Sequence, residues 1–414
     1  MFETLFSRPS VLARHRTGPL SEERERFIER CAMQGYSRSM LGKIAWVLLA
    51  IAPQLSPDGG PVTGRDIELA VAHRTRFRRQ PKPATDSASS RQLFVHFATE
   101  WVRSLGRLAP APPASRPFAS QIEDFSRYLG DERGLSPVTI ATQRERLGWF
   151  LDGLEPPRDS LRALSIADVD AFVAAKASQG WRRSSLATLV SSLRSFLRYA
   201  EGQGWCAPGL AAAIDSPRLY TREGLPQGPG WDDVQRLLAS TADERPAAIR
   251  DHAILLLLAL YGLRRGEVAA LRVDDLDWLG EQIAVLRPKQ RRVQRYPLLP
   301  AVGEAILRYV REARPRAAHR ALFLTLAAPV RPLSAESISA IAHARLRAIG
   351  VRVSPRGAHC LRHACARHLL ASGFTLKQIG DHLGHRNANA TLSYAKVDLA
   401  GLRQVAEIDL GRLL

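Results

Sequence analysis

The sequence predicts a mainly α-helical chain built from helical N-terminal modules and a C-terminal α+β domain with a small β-hairpin. Three observations lead there. Apolar residues recur at helical spacing through most of the 414 residues. Proline-rich stretches break that periodicity at residues 108–117 and again at 206–230. Two short strand-like runs lie near residues 282–299, on either side of a basic arm. A chain of this length exceeds what one hydrophobic core usually serves, so two or three domains are expected.

Taken in order, Ser21-Glu22-Glu23-Arg24-Glu25 reads as a helix start, a serine cap with acids in the first turn, and Phe27, Ile28, Cys31 and Met33 continue it. A second helix runs from Ser37 to Ile51, a third opens at Thr63-Gly64-Arg65-Asp66-Ile67, and a fourth covers Ser89 to Leu105. Residues 1–107 thus form an N-terminal helical module. Leu108 to Pro117, with prolines at 110, 112, 113 and 117, reads as a semi-rigid linker.

Residues 118–205 repeat the pattern. Helices are expected at Phe118 to Asp131, at Ser136 to Leu154, from Ser165 onward, and at Ser184 to Glu201, the last with Leu186, Leu189, Val190, Leu193, Phe196 and Leu197 on one stripe. Gly35-Tyr36-Ser37 mirrors Gly134-Leu135-Ser136, and Thr63 to Ala72 mirrors Ser165 to Ala174. A diverged duplication of one module explains this, and chance similarity between amphipathic helices is the competing explanation. Cys206 to Gly230 alternates Pro208, Pro217, Pro226 and Pro229 with glycines and reads as a hinge.

From Trp231 the pattern becomes α+β. Helices are expected at Asp232 to Leu238 and Ala247 to Leu263, a turn at Asp274 to Trp278, and strands at Gln282 to Leu286 and Arg295 to Leu299. The arm between the strands, Arg287-Pro288-Lys289-Gln290-Arg291-Arg292, is densely basic. Helices resume at Ala301 to Ala313 and Ser334 to Ile349. His359 and Arg362 then share a helix face at i and i+3, Gly373 stops that helix, and a second runs from Thr375 to Leu383. Gly384 ends it with His385 just beyond, and after Arg386-Asn387-Ala388-Asn389 a last helix carries Tyr394. Helix, turn, helix, turn, helix brings His359, Arg362, His385 and Tyr394 to one surface. The tail, Leu399 to Leu414, is amphipathic.

The formal charge is +19, with 59 basic against 40 acidic residues and a pI near 10.7, which points to a nucleic-acid partner. Lysine occurs only at 43, 82, 176, 289, 377 and 396. A compositional preference accounts for arginine over lysine, but not for the surplus over acids. Four scattered cysteines, Cys31, Cys206, Cys360 and Cys365, fit a reducing cytosol without a disulfide framework. Phe2 to Leu20 mixes Arg and Pro into any apolar run, unlike a signal peptide. The most apolar stretch, Ala253 to Tyr261, is too short to span a bilayer. A cytoplasmic, nucleoid-associated protein is the expectation.

His359-Cys360-Leu361-Arg362-His363, Leu383-Gly384-His385 and Tyr394 resemble, in order and spacing, the second signature box of the tyrosine recombinases, the integrase and Xer family. Gly262-Leu263-Arg264 followed by Glu267 is similar to the family's first box. Lys289 stands where the family has its β-hairpin lysine, with Pro297-Leu298 following as in the family, although Pro288 replaces the glycine common before it. The resemblance covers Trp231 to the C-terminus, extends more loosely over Pro117 to Trp205, and leaves the first hundred or so residues unaccounted for.

The resemblance implies a site-specific DNA recombinase or integrase acting in integration, excision or transposition. Tyr394 is the implied nucleophile, forming a 3′-phosphotyrosyl link without ATP, metal or cofactor. A tyrosine hydroxyl has an ordinary pKa of about 10, so cations and a base must make it reactive. Arg264 and Arg362 are the implied clamp on the non-bridging oxygens, because planar guanidinium matches phosphate geometry. Lys289 is the implied general acid, since lysine can lose a proton and arginine effectively cannot. By the same resemblance His359 would assist proton transfer at Tyr394, His385 would donate to a phosphate oxygen, and Glu267 would orient Arg264 or another polar side chain. The implied partners are double-stranded DNA at paired sites, gripped between a core-binding domain at 118–205 and a catalytic domain at 231–414, and a homo-multimer or partner recombinases on which the tail docks.

Three rivals stand beside this reading. A zinc site would use His359, Cys360, His363, Cys365 and His368, but the cysteines lack Cys-x-x-Cys spacing and Cys360 occupies the place of a zincin's glutamate base. A catalytically silent DNA-binding accessory would not be expected to retain the whole residue set. A type IB topoisomerase shares the tyrosine chemistry, but the Leu-Gly-His turn and the domain order favour the recombinase.

Overall fold

The structure is a computed structural model that describes residues 1–55, 60–76, 88–110, 118–154, 160–218, 228–287, 292–352, 357–385 and 391–392. Its described residues are mostly helical, with one three-stranded antiparallel sheet in the order β1-β2-β3. Contacts divide the chain into two units, Pro110–Gly224 on the one hand and Met1–Ala109 with Leu225–Leu414 on the other. Lys289, Tyr394 and the tail from Leu399 lie outside the described residues.

The N-terminal module begins with two helices the sequence pattern did not announce, α1 (Phe2–Leu5) and α2 (Pro9–Thr17). α3 (Ser21–Met33), α4 (Arg38–Ile51), α5 (Gly64–Arg76) and α6 (Ala88–Ser104) follow. Their apolar stripes meet in one core containing Phe27, Ile28, Leu48, Phe94 and Trp101. Arg24 is buried in it and donates to the carbonyls of His15, Gly18 and Pro19 at 2.6, 3.0 and 2.8 Å, which stitches the α2–α3 turn.

The other unit contains α7 (Ala119–Asp131), α8 (Pro137–Leu151), α9 (Ile166–Ser178) and α10 (Arg183–Gly202) around Phe125, Phe150, Leu193 and Phe196. Packing continues past Trp205: α11 (Leu210–Ala213) follows, and Cys206, Leu210, Ala211 and Ile214 join this core. The connecting stretch therefore begins after Ile214 and not at Cys206, because apolar residues among the prolines find a hydrophobic partner.

The two modules repeat one grammar. Ser37 caps α4 and Ser136 caps α8, each accepting from the backbone N–H three residues on. Thr63 with Asp66 and Ser165 with Asp168 form side-chain capping pairs at the starts of α5 and α9. Buried positions follow the same spacing: 24, 27, 28 and 31 against 122, 125, 126 and 129; 48, 49, 51, 52 and 55 against 147, 148, 150, 151 and 154; 67 and 70 against 169 and 172.

From residue 231 the chain forms α12 (Trp231–Ala239), α13 (Pro246–Leu260), α14 (Arg265–Ala270), β1 (Leu276–Asp277), β2 (Gln282–Arg287), β3 (Arg292–Pro297) and α15 (Pro300–Arg308). A π-turn, Tyr309–Ala313, extends α15, and α16 (Ala335–Ala348), α17 (Ala358–Ala371) and α18 (Leu376–Leu383) follow. The second half of α13, from Ala253 to Leu260, is apolar all round and forms the centre of the core, with Ile254, Leu255, Leu257 and Leu258 fully enclosed. Its Asp251 receives Arg250 at 2.8 Å and Arg345 of α16 at 2.7 Å. The expected helix to Leu263 stops at Leu260, because Gly262 takes a left-handed φ of 58°. The second strand starts at Arg292, three residues earlier than expected, and pairs Arg287 with Arg292 and Ile283 with Tyr296. The expected turn at 274–278 contains the short edge strand β1. No helix among the described residues is long and apolar enough to cross a membrane.

Candidate active site

The site is organised by the C-terminal end of α18. A helix leaves its last four carbonyls without intrahelical partners and carries a partial negative charge there. Here the backbone N–H groups of His385 and Gly384 take the Gly380 and Asp381 carbonyls, and side chains from other elements reach the carbonyls from Asp381 through Gly384. The Asp381 carbonyl accepts from Gln294 Nε2 at 2.9 Å. The His382 carbonyl accepts from Tyr296 Oη and, at 3.3 Å, from Arg287 Nη2. The Leu383 carbonyl accepts from Arg362 Nη2 at 2.7 Å, and the Gly384 carbonyl from Arg264 Nη2 at 3.3 Å. Successive peptide oxygens of one turn thus gather three arginines from the α13–α14 loop, the hairpin and α17.

Each of the two expected clamp residues has a second anchor. Arg362, 2% exposed, also donates to the carbonyl of Gly262 at 2.6 Å, so it bridges the two signature segments. Arg264 is more open and binds Glu267 Oε1 through Nη1 at 2.9 Å, while its backbone N–H donates to Glu267 Oε2 at 2.8 Å. Glu267 is buried. Burial opposes its charge, but hydrogen bonds from Arg287 and the Arg264 backbone N–H and the nearby positive charge outweigh that, so its carboxyl is held below the usual carboxylate range. Gly262 has no room for a side chain: a Cβ there would lie 2.4 Å from Leu383 Cδ2.

The histidines surround this cluster. His359 stays accessible at the surface while its ring meets that of His363 at 4.4 Å. Desolvation first, then Arg362 and Arg264, push His359 below its ordinary pKa. His363 and His385 are pushed to about 4, by desolvation and by the cations around them. Both are therefore neutral at pH 7. His385 Nδ1 lies 2.6 Å from the Thr391 hydroxyl. In the tautomer where Nδ1 accepts that proton, Nε2 carries the N–H.

The structure brings Arg264, His359, Arg362 and His385 together. Lys289 and Tyr394 fall outside the described residues. The zinc rival finds no geometry, since the thiol of Cys360 donates to Gly357 O at 3.0 Å, that of Cys365 points to Leu260 O at 3.4 Å, and His368 stacks on Trp231 at 3.7 Å. Among the described residues no group of three His, Cys, Asp or Glu side chains is placed to hold a metal. Sequence reasoning gave no individual role to Arg287, Gln294, Tyr296 or Thr391. Strand parity could have found the first, because 283, 285 and 287 share the inward face of β2.

Comparison with known proteins follows the same division. Residues 231–400 match the phage integrase family, and residues 122–204 match the phage integrase N-terminal SAM-like domain. A Sinorhizobium fredii protein carrying the name integrase/recombinase y4rF is 32% identical over 98% of this chain and 95% of its own length, so the similarity reaches through the N-terminal module. Tyrosine recombinase XerD of Listeria monocytogenes is 30% identical over 69% of this chain and 96% of its own. Among solved structures, XerH recombinase bound to its difH substrate covers 86% of this chain and 98% of its own at a TM-score of 0.56 and 17% identity. A λ integrase dimer on a core site covers 66% and 94% at 0.54 and 17%.

Proposed function

The chain belongs to the phage integrase family, the tyrosine recombinases, a class of DNA breaking and rejoining enzymes, and from that premise we propose that its chemistry runs through Tyr394 on a phosphate held by Arg264, Arg362 and His385. The observation that carries this is the convergence of Arg264 and Arg362 on the adjacent carbonyls of Leu383 and Gly384, immediately before His385. Two guanidinium groups and an imidazole, donors of phosphate-binding type, are thereby gathered at one turn.

In the proposed step the Tyr394 oxygen attacks the scissile phosphorus and loses its proton with the help of His359. The P–O5′ bond breaks, and Lys289 protonates the leaving 5′ oxygen. The two arginines and the Nε2–H of His385 neutralise the charge that builds on the non-bridging oxygens. Attack by a 5′ hydroxyl on the phosphotyrosine reverses the sequence and rejoins a strand. No nucleotide is needed, because the tyrosyl ester keeps the bond energy, and the arginines and His385 fill the charge-neutralising role a metal would otherwise take.

The substrate is double-stranded DNA at paired sites, bound by a multimer of this chain or with partner recombinases, in the cytoplasm at the nucleoid. Residues 118–205 act as the core-binding domain and 231–414 as the catalytic domain. The N-terminal module is a diverged copy of the former, supported by the shared caps and shared buried spacing of the two bundles. An experimental structure in which α3–α6 did not superpose on α7–α10 would sink that last point.

Covalent capture tests the chemistry. Wild type and Tyr394→Phe are incubated with labelled DNA from the ends of the element that encodes the protein, denatured, and any DNA-linked peptide is identified by mass spectrometry. The expected result is an adduct on Tyr394 in wild type alone. An adduct persisting in the Phe variant removes Tyr394 as nucleophile, and tight binding with no adduct favours the silent accessory.

A further inference from the structure

We propose that Arg287 is a positioning residue for strand cleavage: from the base of the hairpin it ties Glu267 to the Leu-Gly-His turn, and through them holds Arg264 and His385 in register. The proposal rests on the roles given above to Arg264 and His385. In the sequence Arg287 is one more member of a basic arm, yet it is only 1% exposed. A buried guanidinium persists only where its donors are satisfied. Arg287 meets that condition with groups of the proposed site and its supports. Nη1 binds Glu267 Oε2 at 2.5 Å, Nε binds Gln294 Oε1 at 3.1 Å, and Nη2 reaches Tyr296 Oη and the His382 carbonyl.

Two features make this more than a core ion pair. Glu267 uses both carboxylate oxygens on Arg264, Oε1 on the side chain and Oε2 on the backbone, while Oε2 also takes Arg287. Loss of Arg287 would leave Arg264 as the acid's sole guanidinium partner among these contacts and free it to draw Arg264 inward. Second, Gly384 packs closely against Arg287: a Cβ there would stand 2.9 Å from Nε and 3.0 Å from Cζ. The turn that precedes His385 is therefore seated against the guanidinium group. Lysine could supply the charge, but its three donors radiate from a single nitrogen and cannot span the planar fork whose Nε, Nη1 and Nη2 reach Gln294, Glu267, Tyr296 and the His382 carbonyl.

The test uses full-length protein on saturating DNA, with formation of the Tyr394-linked complex as the rate. Arg287→Lys is expected to lower that rate about 10–100-fold while the DNA Kd moves by less than about 3-fold, the pattern of an interaction needed in the transition state. A methylphosphonate at the scissile position lacks the charge that Arg264 neutralises, so on it the ratio of wild type to variant should shrink toward one. A 5′-bridging sulfur, which leaves without a proton, should not alter the ratio. A wild-type rate, an unchanged ratio on methylphosphonate, or recovery with the sulfur substrate would each overturn the proposal, the last by routing Arg287 through Lys289.

Should Arg287→Lys fail to fold, the double variant Arg287→Met with Glu267→Gln removes both charges of the pair. It is expected to be no slower than Glu267→Gln alone, whereas additive losses would show that the two act separately. Failure of the underlying reading looks different: wild type would then give no Tyr394 adduct, or Arg264→Ala would cleave normally.

Discussion

Gly384 shows how one residue can serve both backbone and charge. Its φ of 63° is left-handed, which costs a residue with a Cβ about 1–2 kcal/mol, and the space a Cβ would need is filled by Arg287 and Gln294. Gly384→Ala is expected to lower folding stability by about 2–4 kcal/mol in a urea titration, the backbone cost plus overpacking, and to slow cleavage further than stability alone explains. The histidines titrate in a predictable direction. His363 and His385 fall from 6.5 to about 4 in the folded protein, so between those values the unfolded chain binds more protons than the native one. Stability is then complete above pH 6.5, declines as pH falls toward about 4, and loses nothing more from these groups below that. Urea midpoints at several pH values check this, and His363→Gln should flatten the decline.

At the level of elements, the supports lie away from the chemistry and should behave as ordinary structure. Asp251 holds Arg250 and Arg345 at the α13–α16 contact and is 5% exposed. Asp251→Ala leaves two cations without their acid and is expected to cost about 3–5 kcal/mol, whereas Thr375→Ala, which removes the α18 cap bond to Gln378 N, should cost about 1 kcal/mol. Chemical denaturation of the two variants measures the contrast. Caps of this kind are also why so many helices could be read from sequence: Ser37, Ser136, Ser165 and Thr375 each mark a start, and Gly373 and Gly384 mark stops. Arg264, His359, Arg362 and His385 were legible because their spacing falls on helix faces and turns. Tyr296 and Gln294 were not, because the carbonyls they bind lie about ninety residues away and backbone acceptors leave no mark in side-chain patterns, and Arg287 was passed over as one more member of the basic arm although the parity of β2 turns it inward. The start of β3 was missed for a related reason: Arg292, although it shares a face with Gln294 and Tyr296, is exposed at the first position of the strand and reads as the end of the basic arm.

Across the whole molecule, two populations of arginine have to be separated, and salt separates them. The chain carries a formal charge of +19, and among the described residues only Arg24, Arg287 and Arg362 are buried Arg or Lys side chains; the attraction of open cations to phosphates is screened and accompanied by counterion release. Arg362 and Arg287, at 2% and 1% exposure, are screened far less by ions in solution. Affinity and chemistry should therefore respond differently to ionic strength. If the protein contacts six to ten phosphates, raising salt from about 50 to 200 mM should weaken DNA binding by about 10³–10⁵-fold. The rate of Tyr394-linked complex formation on saturating DNA should change by less than about 3-fold over the same range, because the buried cations keep their low-dielectric surroundings. Filter binding gives the first quantity and single-turnover trapping the second. A cleavage rate at saturation that fell in step with affinity would mean that the catalytic cations are exposed in the DNA complex. The enclosed carbonyl turn at the end of α18 would then have to open before the strand is cut.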